Sequence, residues 1–454
     1  MITYYFILFA FCFTQDIYTD YLVLENDTID VFSYQIPENY DSEIQHPLLV
    51  TFHQWGGNEN SNYYTGFDEE ANNRNWIMLS PYGGSSNNYN HQQAQNMFKE
   101  EIKWMMQNFN IDSKRIYMVG GSMGGATGAI YANNHLDPSR PMIAATASAS
   151  GILDCERRAI EMDGNNSMIE WFGGNWDEVP FEYHRNSAIY FADSTQSMHY
   201  NLLYTPLYLD FGVSEPHRTH AEDLYNILLN YNQNIWIDTI PTGSHGYSVI
   251  DEEHSCDWLD QFELISDPEY INVNLDQPSR AYWIEAKNMI FDNQFIRIEC
   301  ERYNDNIYNI NKFSNSDTLL LHILNDSIPS NIELNNYQNS ILTIGLHGNI
   351  LLMNSISDII INSPNNNFWE NLNFQNNIIY FNISEGNYLI NFISEEFEDI
   401  NLDGIWNVLD IILIVNHIIG QDILFSLQFE NADLNDDELI NILDIINIIS
   451  IILD

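Results

Sequence analysis

The chain has 454 residues, more than one typical domain needs; 45% are hydrophobic and 13% aromatic, so composition excludes a disordered chain. Only 15 Lys and Arg stand against 64 Asp and Glu, a formal net charge of −49. That field repels nucleic acid and anionic membrane surfaces and excludes both as partners, while it suits saline surroundings or divalent cations.

The apolar run from Met1 to Thr14 is too short to span a bilayer and has the length of the apolar part of an export signal. It predicts a signal peptide over residues 1–14, the other reading being a buried first strand. No later stretch is long and apolar enough for a membrane anchor. Four cysteines are present, at 12, 155, 256 and 300. Cys155 and Cys256 flank expected site loops and are a candidate disulfide in an oxidising compartment, or else two separate buried thiols.

From about 20 to 265, strand-like and helical segments alternate. Strands are expected at Leu48–Phe52 and at Trp76–Ser80, the latter stopped by Pro81. Met97, Ile102, Met105, Met106 and Phe109 are spaced for a helix. Asp112-Ser113-Lys114 reads as a turn before the strand Arg115–Val119, and another helix opens near Met123. Later strands are expected at Met142–Ala147, Leu207–Phe211 and Ile235–Ile240. This rhythm predicts an α/β fold, with a doubly wound, mostly parallel sheet covered on both faces. Over 266–393, alternation such as Phe295–Glu299 and Thr318–Leu324, broken by Asn-rich turns, predicts an all-β accessory region. Residues 397–454 change again, to two acidic loops that each lead into an Ile/Leu-rich helix.

Gly120-Gly121-Ser122-Met123-Gly124 fits G-x-S-x-G between an expected strand and an expected helix. On such a turn a serine hydroxyl stands above the sheet as a nucleophile. The Met123 N–H, at the helix start, then faces a developing oxyanion. A second donor is expected from the loop after Leu48–Phe52, at the backbone of Gln54 or Trp55; His53 reads as a packing residue. In this fold the base follows the acid in sequence, and His245, in the loop after the strand ending at Ile240, is favoured over His217, His220 and His254. Glu215, in the loop after Leu207–Phe211, is the first candidate to orient it. Asp154 is the alternative acid, and Asp210 fits less well because it alternates into the sheet.

Residues 45–265 resemble the secreted α/β-hydrolase esterases that include polyhydroxybutyrate depolymerases, feruloyl esterases and acetylxylan esterases, above all in the run Asn110–Gly125 that leads into the nucleophile. The resemblance implies hydrolysis of carboxylic esters through an acyl-enzyme, with no cofactor for catalysis. A prolyl-oligopeptidase-type peptidase and a non-catalytic surface-binding protein are the rival readings. The segment from Tyr282 to Ser327 is similar to β-rich modules that follow such domains.

In the C-terminal stretch, Asp399, Asn401, Asp403, Asn407 and Asp410 place oxygen ligands at positions 1, 3, 5, 9 and 12 of a calcium loop. Ile405 supplies the position-7 carbonyl and Gly404 the turn at position 6. The pattern recurs 34 residues on, at Asp433, Asn435, Asp437, Leu439, Asn441 and Asp444, with Glu438 in place of the glycine. The tandem pair resembles a type I dockerin. That implies structural Ca²⁺ and docking to a cohesin-like or cell-surface scaffold protein, in a secreted and tethered enzyme.

Overall fold

A computed structural model describes residues 16–25, 27–164, 166–215, 217–230, 232, 234–240, 243–324, 329, 331–348, 356–362, 367–368, 373–375, 378–394, 400, 408–421, 424, 428–429, 432–433 and 439–453. The expected signal segment 1–14 lies outside them. The chain forms two compact units. One takes in the residues up to Pro268 with Asn272–Tyr282 and Phe291–Arg297; the other takes in Glu269–Ile271, Trp283–Ile290 and the chain from Ile298 on.

The first unit is built on eight strands: β1 (Ile17–Leu24), β2 (Asp27–Gln35), β3 (His46–Phe52), β4 (Ile77–Pro81), β5 (Ile111–Gly121), β6 (Ala145–Ala149), β7 (Leu207–Gly212) and β8 (Ile235–Ile240). Their order is β1-β2-β4-β3-β5-β6-β7-β8. The β1–β2 and β2–β4 pairs are antiparallel, and every later pair is parallel. This is the strand order of the α/β-hydrolase fold.

Strict alternation sends successive side chains of the central strands into two different cores. Leu48, Val50, Ile77, Leu79, Ile116 and Met118 pack on one face, against α2 (Gln92–Asn108), α3 (Thr127–Asn134) and α7 (Arg218–Leu228). Leu49, Met78, Tyr117 and Val119 pack on the other, against α1 (Phe67–Asn73) and α8 (Glu252–Leu259). With both faces covered, the central strands tolerate almost no polar residue, which is why they read as apolar runs.

The Asp112–Lys114 turn is a correction: those residues lie inside β5. Asp112 Oδ1 accepts the Lys114 N–H at 2.9 Å, and the register with β3 passes from His46↔Ile111 to Leu48↔Ile116. The turn chemistry is thus spent on a local irregularity within the strand, where β5 carries three more residues than β3, rather than on a chain reversal. The helix expected near Met123 begins as a single 3-10 turn, Gly124–Ala126, before α3. The first two strands are not among those expected from the sequence. In β1 most side chains are exposed, as suits an edge hairpin, so no apolar face marks it.

Beyond Pro268 the described residues are β-rich. Ile307–Ser314, Asn331–Asn336 and Gly386–Ser394 belong to a seven-stranded sheet, and Thr318–Leu324, Leu342–Gly348 and Ile378–Ile383 to a six-stranded one. The C-terminal stretch carries the helices Val408–Ile418 and Ile442–Leu453, around a small core of Ile400, Ile414, Leu424, Ala432 and Ile448. Among the described residues, no helix is long and apolar enough to cross a membrane.

Candidate active site

Ser122 follows β5 at the carboxyl end of the sheet, with φ +56°. A non-glycine residue rarely adopts that conformation, and here it is over-determined. The Ser122 N–H donates to Ala149 O at 2.7 Å, and its carbonyl accepts from Gly125 N–H at 3.0 Å and Ile152 N–H at 3.2 Å. The motif glycines answer to close approach. A Cβ on Gly120 would strike the Gly124 carbonyl, and one on Gly124 would come within 2.6 Å of the His53 carbonyl.

His245 reaches Ser122 from the loop after β8. Its Nε2 lies 2.7 Å from Ser122 Oγ, and its Nδ1 lies 2.8 Å from Glu215 Oε2. The other Glu215 oxygen accepts the Gly212 N–H at 3.1 Å. The Glu215 side chain is 1% exposed and that of His245 is 38% exposed. A buried carboxylate therefore holds one nitrogen of a half-exposed imidazole, and the serine hydroxyl meets the other. The histidine loop is itself tied down. Ser248 Oγ accepts the His245 N–H at 3.2 Å and donates to its carbonyl at 2.9 Å, while Tyr247 donates its hydroxyl to Phe52 O at 2.6 Å.

The rival residues sit elsewhere. Asp154 caps α4 (Cys155–Glu161): its carboxylate accepts Arg157 N–H at 2.9 Å and Phe191 N–H at 3.0 Å, and burial pushes its pKa up. Asp210 is buried in β7, where loss of water raises its carboxyl to about 7. His254 packs against Tyr208 and Trp236. Both ring nitrogens of His53 lie 2.9 Å from backbone carbonyls, those of Gln54 and Tyr82, in a packing role.

Gln54-Trp55-Gly56-Gly57 forms a tight turn closed by Gly57 N–H to Gln54 O at 2.9 Å, with Gly56 at φ +84°. The Gln54 side chain lies over the nucleophile turn. Its Cγ is 3.2 Å from where a Gly121 Cβ would stand, and its carboxamide occupies the place a Gly246 Cβ would need. Trp55 is 59% exposed, with its indole N–H on Ser167 Oγ at 3.2 Å. The Met123 side chain is buried in a cluster with Tyr89, Ile152, Met168, Phe172 and Tyr183.

Cys155, Cys256 and Cys300 are all buried free thiols. The candidate Cys155–Cys256 bridge is therefore corrected. Cys155 Sγ faces Asn186 O at 3.1 Å among the residues around Met123, whereas Cys256, on α8, is buried in a different core.

Of the calcium-loop candidates, Asp399, Asn401, Asp403, Ile405, Asn407, Asn435 and Asp437 lie outside the described residues. Asp410 and Asp444, 34 positions apart, are both buried. Asp410 Oδ1 accepts Ile400 N–H at 3.2 Å and Asp444 Oδ2 accepts Asn441 N–H at 2.8 Å. Asp433 and Asn441 are half-buried and Leu439 is exposed.

No protein-family model and no curated protein matches the sequence. Solved structures do. An S-formylglutathione hydrolase from Staphylococcus aureus is 17% identical over 54% of this chain and 99% of its own, with a TM-score of 0.41. An acetyl xylan esterase from Aspergillus awamori is 12% identical over 54% and 99%, at 0.39. The feruloyl esterase module from Clostridium thermocellum is 13% identical over 55% and 88%, also at 0.39.

One group near the site escaped sequence reasoning. Glu161 Oε2 lies 3.1 Å from His217 Nδ1, and the His217 and His245 rings meet edge-to-face with centroids 5.7 Å apart. His217 is among the rival candidates for the base; Glu161 is not a candidate, and no local motif joins it to His217.

Proposed function

We propose that this chain is an extracellular serine hydrolase of carboxylic esters, acting on acylated or feruloylated polysaccharides or on polyesters. The observation that carries this reading is the unbroken chain from Ser122 Oγ through His245 to Glu215, at 2.7 and 2.8 Å, on a strained turn at the carboxyl end of a doubly wound sheet.

Ser122 Oγ attacks the ester carbonyl carbon as its proton passes to His245 Nε2. Glu215, already on Nδ1, holds the ring in the tautomer that leaves Nε2 free to accept, and then stabilises the imidazolium. The carbonyl oxygen becomes an oxyanion before the Met123 N–H and the backbone of Gln54 and Trp55. Collapse of the tetrahedral intermediate breaks the C–O bond, and His245 returns its proton to the departing alcohol. Water repeats the sequence on the acyl-serine, releasing the acid and restoring Ser122.

The C-terminal stretch is read as a calcium-dependent docking module for a cohesin-like or cell-surface scaffold, which with the signal segment 1–14 makes the enzyme secreted and tethered. Its donor set is all oxygen and carboxylate-rich, which suits Ca²⁺, and the repeat-related burial of Asp410 and Asp444 suits carboxylates turned toward a cation. The exposed Leu409, Ile412, Ile442 and Ile446 on the two helices suit a protein partner.

Turnover of nitrophenyl acetate, methyl ferulate, a hydroxyalkanoate ester and a prolyl-peptide amide tests the reading. Ester cleavage that disappears in Ser122→Ala supports it. Cleavage of the amide alone overturns the esterase in favour of a peptidase, and no turnover of any of the four overturns the enzyme.

A further inference from the structure

The turn that carries Met123 is a weak start to a helix. Gly124–Ala126 is a single 3-10 turn, whose hydrogen bonds are poorer than those of an α-helix, and the Met123 carbonyl accepts the Ala126 N–H at 3.3 Å. The peptide on the other side of Met123 is held better. Its carbonyl, that of Ser122, accepts the Gly125 N–H at 3.0 Å and the Ile152 N–H at 3.2 Å. Because the peptide is planar and trans, those bonds also fix the Met123 N–H, which points the opposite way. Among the described residues no acceptor takes that N–H, so it is left for a ligand.

A second clamp closes on Met123 from the segment before α2. Asn90 Nδ2 donates to the Met123 carbonyl at 3.2 Å, and Asn90 Oδ1 accepts the Thr127 hydroxyl at 2.5 Å. Turning the carboxamide over would set two acceptors, Oδ1 and the Met123 carbonyl, against each other, so the network fixes its orientation. Asn90 and Thr127 are both buried, and the Tyr89 N–H meets Met123 Sδ at 3.3 Å. Tyr89 and Asn90 have φ +43° and +58°, two consecutive non-glycine residues in the left-handed region. Asparagine adopts that conformation readily and tyrosine does not, so it persists only where both ends are tied. Asn88 Oδ1 accepts the Asn90 N–H at 3.0 Å on one side. On the other, His91 caps α2, its Nδ1 accepting the Gln93 and Ala94 N–H groups at 3.2 and 3.4 Å, and its ring stacks on Trp171 with centroids 4.3 Å apart.

We propose that Asn90 is a positioning residue for the oxyanion: by holding the Met123 carbonyl it keeps the Met123 N–H, one peptide back, aimed at the reacting oxygen. The inference rests on the serine-hydrolase reading for the role of that N–H, and on geometry alone for the clamp. Rotation about the two backbone bonds of Met123 is what could carry its flanking peptides apart. With the Ser122 carbonyl held on one side and the Met123 carbonyl on the other, Met123 is pinned at φ −52° and ψ −51°. An oxyanion donor works best from a place set before charge develops, because it then has no reorganisation left to make. The side-chain contacts of Asn90 run to Met123 and Thr127 and to neither Ser122 Oγ nor His245. Its loss is therefore expected to fall on the transition state and not on substrate binding.

The test compares the full-length chain with Asn90→Gly, Asn90→Ala and Thr127→Val. The first two remove the same donor, and only alanine carries a Cβ that the left-handed backbone disfavours. Thr127→Val leaves Asn90 in place but frees its carboxamide, and it carries the test if neither Asn90 variant folds. Hydrogen exchange of the Met123 amide, followed by NMR of methionine-labelled protein, reads the clamp without any turnover. The consequence is read from kcat and KM for nitrophenyl acetate, and from the affinity of a trifluoromethyl ketone whose adduct with Ser122 sets an oxyanion before the Met123 N–H. Exchange is expected to quicken about tenfold or more in both Asn90 variants. In both, kcat and ketone affinity are expected to fall together by about 10- to 100-fold, with KM little changed, although Asn90→Ala melts lower than Asn90→Gly. Thr127→Val is expected to move the same quantities less and in the same direction. Met123 exchange that keeps its rate in every folded variant overturns the proposal, whatever the activities. So does a loss confined to KM, a loss of kcat that leaves ketone affinity intact, or turnover that follows the melting temperature instead of the donor. Unchanged turnover and ketone affinity in the folded variants also overturn it. If exchange responds but the unaltered chain neither cleaves ester nor binds the ketone, the clamp stands and the hydrolase reading fails.

Discussion

The loops at the carboxyl end of the sheet and the C-terminal stretch both bury carboxylates that accept backbone N–H groups, and they differ in what surrounds them. Glu215 is buried against His245 and Gly212 N–H, on a loop rooted in a strand with no exposed residue. Among the described residues of the C-terminal stretch, the core holds Ile400, Ile414, Leu424, Ala432 and Ile448, and the helices Val408–Ile418 and Ile442–Leu453 expose a row of Leu and Ile. In the first case the protein supplies every partner a buried charge needs, so the geometry is fixed by the fold. In the second the repeated Asp and Asn positions stand in a stretch without Lys or Arg, which on the calcium reading would leave charge balance to a bound cation.

That contrast breaks first at the acid. Glu215→Gln keeps the shape of the site but loses the charge that stabilises the imidazolium, and is expected to lower kcat about 10³–10⁴-fold with the fold intact. Asp154→Asn, at the capping position of α4, is expected to change kcat little and to cost no more than about 1 kcal/mol of stability. A large kcat loss in Asp154→Asn with little in Glu215→Gln would exchange the two roles. The second break lies in the C-terminal stretch. Removing Ca²⁺ from the full chain with EDTA is expected to speed amide hydrogen exchange in Ile442–Leu453 by at least tenfold while ester turnover is unchanged. Exchange that does not respond would remove calcium from the account.

Smaller effects sharpen the picture inside the first unit. Gly246 has φ +61° and no room for a Cβ beside the Gln54 carboxamide. Gly246→Ala is therefore expected to displace Gln54 or His245 and lower kcat about 10-fold or more, with little loss of stability. The smallest effect is expected at Glu101, fully buried on α2. Burial raises its carboxyl well above the ordinary value, and the nearby Asp30 adds to the rise. Because the folded state holds this proton more tightly than the unfolded chain does, the stability it contributes is fully present below the unfolded pKa of about 4.3. It is lost as pH rises through the folded value. Glu101→Gln is expected to raise Tm by a few degrees at pH 8 and by almost nothing at pH 4, as read by thermal melts at the two pH values. Equal shifts at both would remove the titration argument.

Much of the first unit was legible because its signals are local. A central strand covered on both faces must be an apolar run, and a serine between strand and helix must be flanked by residues small enough for their close approach. The loops after β7 and β8 were found the same way, and with them Glu215 and His245. The edge strand β1 was not, because its side chains face water and carry no periodic signal. Asp112-Ser113-Lys114 has turn chemistry in a place where the sheet turns it into a bulge. The ring of donors around Glu161 joins α4 to the start of α7, and nothing in either segment announces the other. Local chemistry names the candidate reacting groups; contacts such as those around Glu161 are visible only once the sheet has gathered its loops.

The central claim is that Ser122 is a nucleophile activated by His245. Labelling with a fluorophosphonate, followed by mass spectrometry of the Ser122 peptide across a pH series, tests it most directly. The account predicts one phosphonyl adduct per chain, on Ser122, at a rate that falls with protonation of a single imidazole and vanishes in Ser122→Ala and His245→Gln. A folded protein that stays unlabelled, or is labelled equally well without His245, would contradict it.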